Sequence, residues 1–167
     1  TVLAQMLITA GEATGGLHFM EEAQRIRLAI SAPAQDLASG ALELAMVNWR
    51  EQCMEKAHTW FTEAFKHSRR SHDEVAKLGV YASFGNFLLS SGRDKERAAA
   101  LLDTAFSFAI SANDTKLLLE IPLLLRNAFP AQPPRWRPLF DQTFRYCDSH
   151  WHVVRGQFGD LATQFLE

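Results

Sequence analysis

Several kinds of protein are excluded by what these 167 residues lack. There are only two cysteines, Cys53 and Cys147, far apart in sequence. They form neither a CxxC pair nor a disulfide framework, a usage that favours a reducing compartment, so a cytoplasmic protein is expected. The longest apolar run, Leu117 to Leu125, is interrupted by Glu120 and Pro122 and falls short of the roughly 18 residues that a membrane span needs. Charge of one sign is missing too: 17 Lys and Arg against 19 Asp and Glu leave a net charge of -2. Without a broad basic surface to neutralise phosphates, direct nucleic-acid binding is not expected. No HExxH, GxSxG, Walker-type loop or dinucleotide fingerprint occurs, and the six histidines are scattered. Catalysis therefore has no anchor, and neither an enzyme nor a cofactor is expected. The chain begins at Thr1 in VLAQMLITA, which reads as the interior of an uncapped helix, so the sequence reads as a piece of a longer protein.

What is present is helical periodicity almost everywhere, with Gly and Pro gathered in short gaps. The pattern predicts helices over Val2 to Ala10, Leu17 to Ser31, Asp36 to Gln52, Met54 to Arg70, Asp73 to Ser90, Arg93 to Ala112, Asp114 to Phe129 and Arg135 to Trp151, with a last short one near Phe158 to Phe165. Gly15-Gly16 and Gly92 are read as turns, Pro33 and the Pro130 to Pro134 stretch as stops, and Ser71, Asp73 and Asp114 as caps. Connections this short force consecutive helices to pack antiparallel as hairpins.

The hairpins carry a recurring frame: EEAQRIRLAI at Glu21 to Ile30, EKAHTWFTEAF at Glu55 to Phe65 and ERAAALLDTAF at Glu96 to Phe106. An acid, one residue and an alanine are followed by a bulky residue and then a small or apolar one. Ala23 and Ala57 are 34 residues apart, and Ala57 and Ala98 are 41 apart. Gly85-Asn86, Gly92-Arg93, Glu96 and Ala98 look like a small-residue site, a glycine turn and a second-helix alanine. In this the chain resembles the tetratricopeptide (TPR) repeats, whose period is 34 residues. The resemblance implies an all-α fold of antiparallel helical hairpins stacked as a right-handed α-solenoid, with repeats at 1–35, 36–72 and 73–112, C-terminal helices over 113–167, and one domain throughout. It sets Gly85 and Ala45 against Ala57, Ala64, Ala98 and Ala105. The departures are a missing proline after the second helices that carry Ala57 and Ala98, polar Arg27 where a large apolar residue is expected, and no recognisable repeat in residues 113–167.

A TPR solenoid binds in the concave groove lined by its first helices. Aligning Ala45 and Gly85 at the small-residue site places Leu42, Met46, Trp49 and Arg50, then Ala82, Asn86 and Leu89, toward that groove. The resemblance thus implies a scaffold or regulatory module that holds a partner protein or peptide, with Leu42, Met46, Trp49, Arg50, Asn86 and Leu89 as its contacts. Leu42, Met46, Leu89 and Trp49 also read plainly as core residues. The TPR subclass that clamps a terminal carboxylate has Asn or Arg where this chain has Glu43 and Ser83, so that version is not expected. A different reading is a ligand-sensing helical-repeat domain of a bacterial signalling ATPase or transcription regulator, mildly favoured by the 41-residue spacing.

Elsewhere the chemistry is thin. Cys147, His150 and His152 are the one ligand-like cluster, but on a continuous helix His152 points away from the other two, so no metal is expected. His67 and His72 flank Arg69-Arg70 and read as a solvated hairpin tip. Trp136, Phe140, Phe144, Cys147 and Trp151 fall at helical steps along one stripe. The stripe is expected to act as a C-terminal capping helix, with docking on a second copy of the chain as the alternative.

Overall fold

The computed structural model describes residues 13–148 and 151–166. Among them every regular element is helical: α1 (Ala13–Ala29), α2 (Ala34–Arg50), α3 (Met54–Ser68), α4 (Glu74–Ser90), α5 (Lys95–Ala112), α6 (Thr115–Ala128), α7 (Pro133–Cys147), α8 (Trp151–Gln157) and α9 (Gly159–Leu166). The fold is all-α, built of packed helical hairpins. The expected helix at Val2 to Ala10 lies outside the described residues. Contacts group the chain into two units, Thr1–Ser83 and Phe84–Glu167, the division along the chain falling within α4. Each is described by itself.

In the first unit α2 packs against α1 and, along its length, against α3. The small-residue frame does what its sterics demand: Ala45, Ala57 and Ala64 have no exposed surface, and Phe61 is wholly buried with them. Ala38, Ala41, Ala64 and Val80 form one cluster, flanked by Leu42, Trp60, Phe65 and Tyr81. Burying a ring such as Phe61 stabilises the unit by about 1.5–3 kcal/mol.

Arg27 has a local explanation. A Cβ at Gly40 would stand 2.2 Å from Gln24 Oε1 and 2.4 Å from Arg27 Nη1, so the glycine opens α2 to two polar side chains of α1. Gln24, 1% exposed, donates from Nε2 to the Leu37 carbonyl at 2.9 Å, and Arg27 Nη1 donates to Gln24 Oε1 at 3.4 Å. The frame position expected to be apolar is therefore filled by a hydrogen-bonded pair. Gly15-Gly16 corrects a second expectation: both lie inside α1, not in a turn. Gly92 is the glycine with positive φ among the described residues, so this pair has no need of the left-handed region.

The turns share one device within each unit. Ser31 (φ 51°), Gln52 (φ 59°), Gly92 (φ 68°) and Asn113 (φ 55°) are left-handed residues just beyond helix ends. After each, an amide bonds back across the last turn: Ala32 to Arg27, Cys53 to Asn48, Arg93 to Leu88 and Asp114 to Ala109, at 2.8–3.0 Å. Each is a Schellman closure, which satisfies carbonyls the helix end would otherwise leave open. Asp94 and Asp114 then cap α5 and α6, their carboxylates accepting from the amides of Arg97 and Leu117.

In the second unit Gly85 of α4 meets α5. A Cβ there would lie 2.7 Å from Leu102 Cγ and 3.2 Å from the Ala98 carbonyl oxygen, so the backbones approach as the resemblance implies. Ala98, Leu102 and Ala105 are fully buried. Helix α6 contacts α5, α7 and α9. It contains Pro122, which lacks the N–H that would bond the Leu118 carbonyl. The buried Thr143 hydroxyl of α7 reaches that carbonyl at 2.8 Å, with its own-helix Leu139 carbonyl at 2.9 Å as the alternative acceptor. One foreign hydroxyl thus satisfies the group that a proline orphans.

The C-terminal stripe closes within this unit. Phe140, Cys147, Val154 and Phe165 join Leu119 and Leu123 in one cluster, with Trp136 and Trp151 against it. Phe140 stacks on Phe165 with centroids 4.4 Å apart. Phe144 is 44% exposed, although its ring stacks on Trp151 at 5.6 Å. Within the stretch expected as one helix over Arg135 to Trp151, α7 runs to Cys147 and α8 starts at Trp151; residues 149–150 lie outside the described residues. The Pro130 to Pro134 stretch stops α6 as expected, and Pro133 and Pro134 then open α7, where a missing N–H costs nothing.

Candidate functional site

The sequence-predicted contacts divide between the two units. On α2, Leu42 is half-buried against the Ala38–Ala64 cluster, and Trp49 sets its ring edge-on to Phe61 at 6.1 Å. Met46 and Arg50 of the same helix are exposed. On α4, Asn86 and Leu89 are half-buried and line concave surface of the second unit.

Two clefts adjoin there. One, of about 260 Å³, is bounded by Asn86, Glu120, Leu123, Leu124, Leu161 and Gln164; the other, of about 310 Å³, by Asn86, Leu89, Ser90, Lys95, Leu124 and Ala128. Asn127 borders both, so Asn86, Leu124 and Asn127 form their common wall. Glu120, Leu124 and Asn127 occur at i, i+4 and i+7 on α6, the spacing of one helix face. The Asn86 side chain is steadied through Ser90, whose hydroxyl lies 2.8 Å from the Asn86 carbonyl and 3.3 Å from its Oδ1. Glu120 keeps an ion pair with Lys116 at 3.5 Å. The resulting groove presents amides in the middle, leucines along the walls, a carboxylate beside one cleft and an ammonium beside the other.

Two further clefts, of about 370 and 390 Å³, lie elsewhere. Between α5 and α7, Asp103, Ser107, Arg135 and Gln142 border a space of about 370 Å³. Its cation is already engaged: Arg135 pairs with Glu96 and lies 4.5 Å over the Phe129 ring. Burial pushes the Asp103 carboxyl above its usual pKa, against the opposing pull of Arg135. At the end of α3, Thr62, Phe65, Lys66, Arg69 and Arg70 border a cleft supplied by one helix end alone.

The hairpin tip there corrects an expectation. His72 is exposed, but His67 is buried, 6% exposed, with Nε2 3.6 Å from Glu63 Oε2. Burial lowers its pKa below 6.5, Glu63 opposes that shift, and Lys66 and Arg70 reinforce it. Among the described residues no three His, Cys, Asp or Glu side chains gather as a metal would require. Cys147 is buried and His152 exposed, while His150 lies outside the described residues. No helix among the described residues is long and apolar enough to cross a membrane.

Residues Leu124, Asn127, Leu161 and Gln164 of the groove were not among those expected from sequence, because residues 113–167 match no repeat. For Leu124 and Asn127 the signal was the i, i+4, i+7 face they share with Glu120 on α6. No protein-family model matches the chain, and no curated protein matches it in sequence. In three dimensions it is similar to the crystal structure of BtubC (BKLC) from P. vanneervenii, with a TM-score of 0.69 over 94% of this chain and 18% sequence identity. The chain spans 62% of the length of that protein, and at this identity the likeness is one of fold alone.

Proposed function

We propose that this chain is a TPR-like repeat module of the cytoplasm that holds a segment of another protein in the groove of α4, α6 and α9, and that it is a binding protein rather than an enzyme. The observation that carries the reading is the common wall of the two clefts, where Asn86 and Asn127 flank Leu124. A side-chain amide both donates and accepts, so it can pair with the N–H and C=O of an extended backbone. Leaving such a group buried and unpaired costs about 1–3 kcal/mol, which gives the asparagines a role that leucines could not fill. Leu89, Leu124 and Leu161 supply apolar contact. The clefts are small beside the 10–12 Å cylinder of a helix, which favours an extended strand as the occupant. The sequence frame and the likeness in fold support the repeat assignment.

Panning random displayed peptides of about a dozen residues against the chain tests this reading. Selected peptides should bind the Asn86→Ala/Asn127→Ala variant roughly ten-fold or more weakly, with its urea midpoint close to that of the parent. Peptides that bind parent and variant alike, or a selection that yields none, would overturn the groove.

A further inference from the structure

The groove is charged asymmetrically. Glu120 borders the cleft that holds Leu161 and Gln164, and Lys95 borders the cleft that holds Leu89 and Ala128. The shared wall of Asn86, Leu124 and Asn127 lies between these charges. Resting on the peptide-groove reading, we propose that the groove fixes the direction of its ligand by charge: an extended peptide lies with a basic side chain toward Glu120 and an acidic one toward Lys95.

The spacing follows from helix geometry. Asn127 and Ala128, which border the Lys95 cleft, lie seven and eight residues beyond Glu120 on α6. At about 1.5 Å per residue this is roughly 10–12 Å along the helix. An extended strand covers that length in about three or four residues, and side chains four apart share a face, so the two ligand charges should stand about four residues apart.

Neighbouring charges leave both groups able to act. The Lys116 partner of Glu120 is an exposed i,i+4 contact at 3.5 Å, with 62% of the lysine side chain in solvent, and such pairs contribute little. The Glu120 side chain is itself only 33% exposed, so an approaching cation meets a carboxylate less screened than one on open surface. Beside Lys95, the Glu96 carboxylate is taken by Arg135, and the Asp94 carboxylate accepts from the Arg97 amide. Both acids thus already have a partner of their own.

The test pans the same displayed library against the parent chain and a charge-swapped one, Lys95→Glu/Glu120→Lys. Parent binders should be enriched in one order of Lys or Arg and Asp or Glu at the stated separation, and swapped-chain binders in the reverse order. A synthetic peptide of the parent consensus should lose roughly ten-fold in affinity for the swapped chain, and its charge-exchanged counterpart should regain it. Binders that depend on Asn86 and Asn127 but show no charge order, or ignore the swap, defeat the polarity and leave the peptide groove standing. If no binder depends on the two asparagines, the groove reading fails and takes the polarity with it. Matching urea midpoints for parent and swapped chains keep a folding defect from imitating either result.

Discussion

At Gly40 the space left by a missing Cβ is taken by the amide of Gln24 and the guanidinium of Arg27; at Gly85 it is taken by Leu102 and the carbonyl of Ala98. The same contrast runs through the two units. Gln24, Asn48, His67, Ser68 and Ser71 are polar residues buried in the first unit, whereas Thr143 is the buried polar residue described in the second. Asn48 donates to the Leu44 carbonyl at 2.8 Å, and its Oδ1 has no partner among the described residues. The second unit instead gathers rings, with Phe140, Phe144 and Trp151 each against Phe165. A small residue at a helix contact therefore specifies only that something enters. What enters is decided on the partner helix, and its chemistry determines how the contact tolerates change.

The largest effect should come from the apolar contact. Leu102→Ala removes a fully buried side chain and should lower stability by about 2–5 kcal/mol in urea unfolding. Gly85→Ala alone should cost about 1–3 kcal/mol, since Leu102 Cγ and a backbone carbonyl block the new methyl and neither is the free end of a flexible chain. The two should couple, with Gly85→Ala costing less once Leu102 is gone. Strict additivity would mean that Leu102 is not what fills the gap.

The polar pin of the second unit comes next. Thr143→Val keeps the shape but leaves the Leu118 carbonyl unpaired opposite Pro122, at a cost of about 1–3 kcal/mol. Restoring an N–H with Pro122→Ala should make the double variant less unstable than Thr143→Val alone. If Pro122→Ala gives no relief, the hydroxyl is not compensating for the proline. A smaller change is expected at Gly40. There a methyl meets the movable ends of Gln24 and Arg27, and the roughly 1 kcal/mol gained by removing a helix-interior glycine offsets the disturbed Gln24 bond. Gly40→Ala should therefore stay within about 1 kcal/mol of the parent, and a loss as large as that at Gly85 would erase the distinction between the two contacts.

These contacts also show what could be read from the chain. The alanine frame located Ala57, Ala98 and their buried neighbours because close helix packing demands small residues at fixed steps, a constraint written in residue size. The turn at Gly92 was legible because glycine is the usual left-handed residue. Ser31, Gln52 and Asn113 perform the same Schellman closure without announcing it, and Gln52 is intrinsically a good helix former. Gly15-Gly16 misled in the opposite sense, since glycine permits a turn without requiring one. Arg27 and Thr143 were opaque for a further reason: each answers to a residue on another helix, Gly40 in one case and Pro122 in the other. Half of the groove was hidden likewise, because Leu161 and Gln164 approach Asn86 only after α9 has folded onto α6.

The buried histidine of the first unit gives the mildest test of the contrast, and pH alone applies it. Burial holds the His67 pKa below 6.5, outweighing Glu63 at 3.6 Å, while Lys66 and Arg70 push the same way as burial. The unfolded chain takes up the proton near pH 6.5 and the folded chain only at lower pH, so in that window the unfolded state binds more protons. Stability contributed by neutral His67 is thus present above about pH 6.5 and is lost as pH falls from there toward the folded pKa. Urea midpoints of parent and His67→Asn, measured at intervals from about pH 7.5 to 5.5, should diverge most at the high end and converge on acidification. Glu63→Gln removes the one carboxylate that favours the charged imidazole, so it should steepen the loss in an otherwise parental chain. A parent chain that gains stability relative to His67→Asn as pH falls would mean the imidazole is held charged, as a solvated hairpin tip paired with Glu63 would hold it.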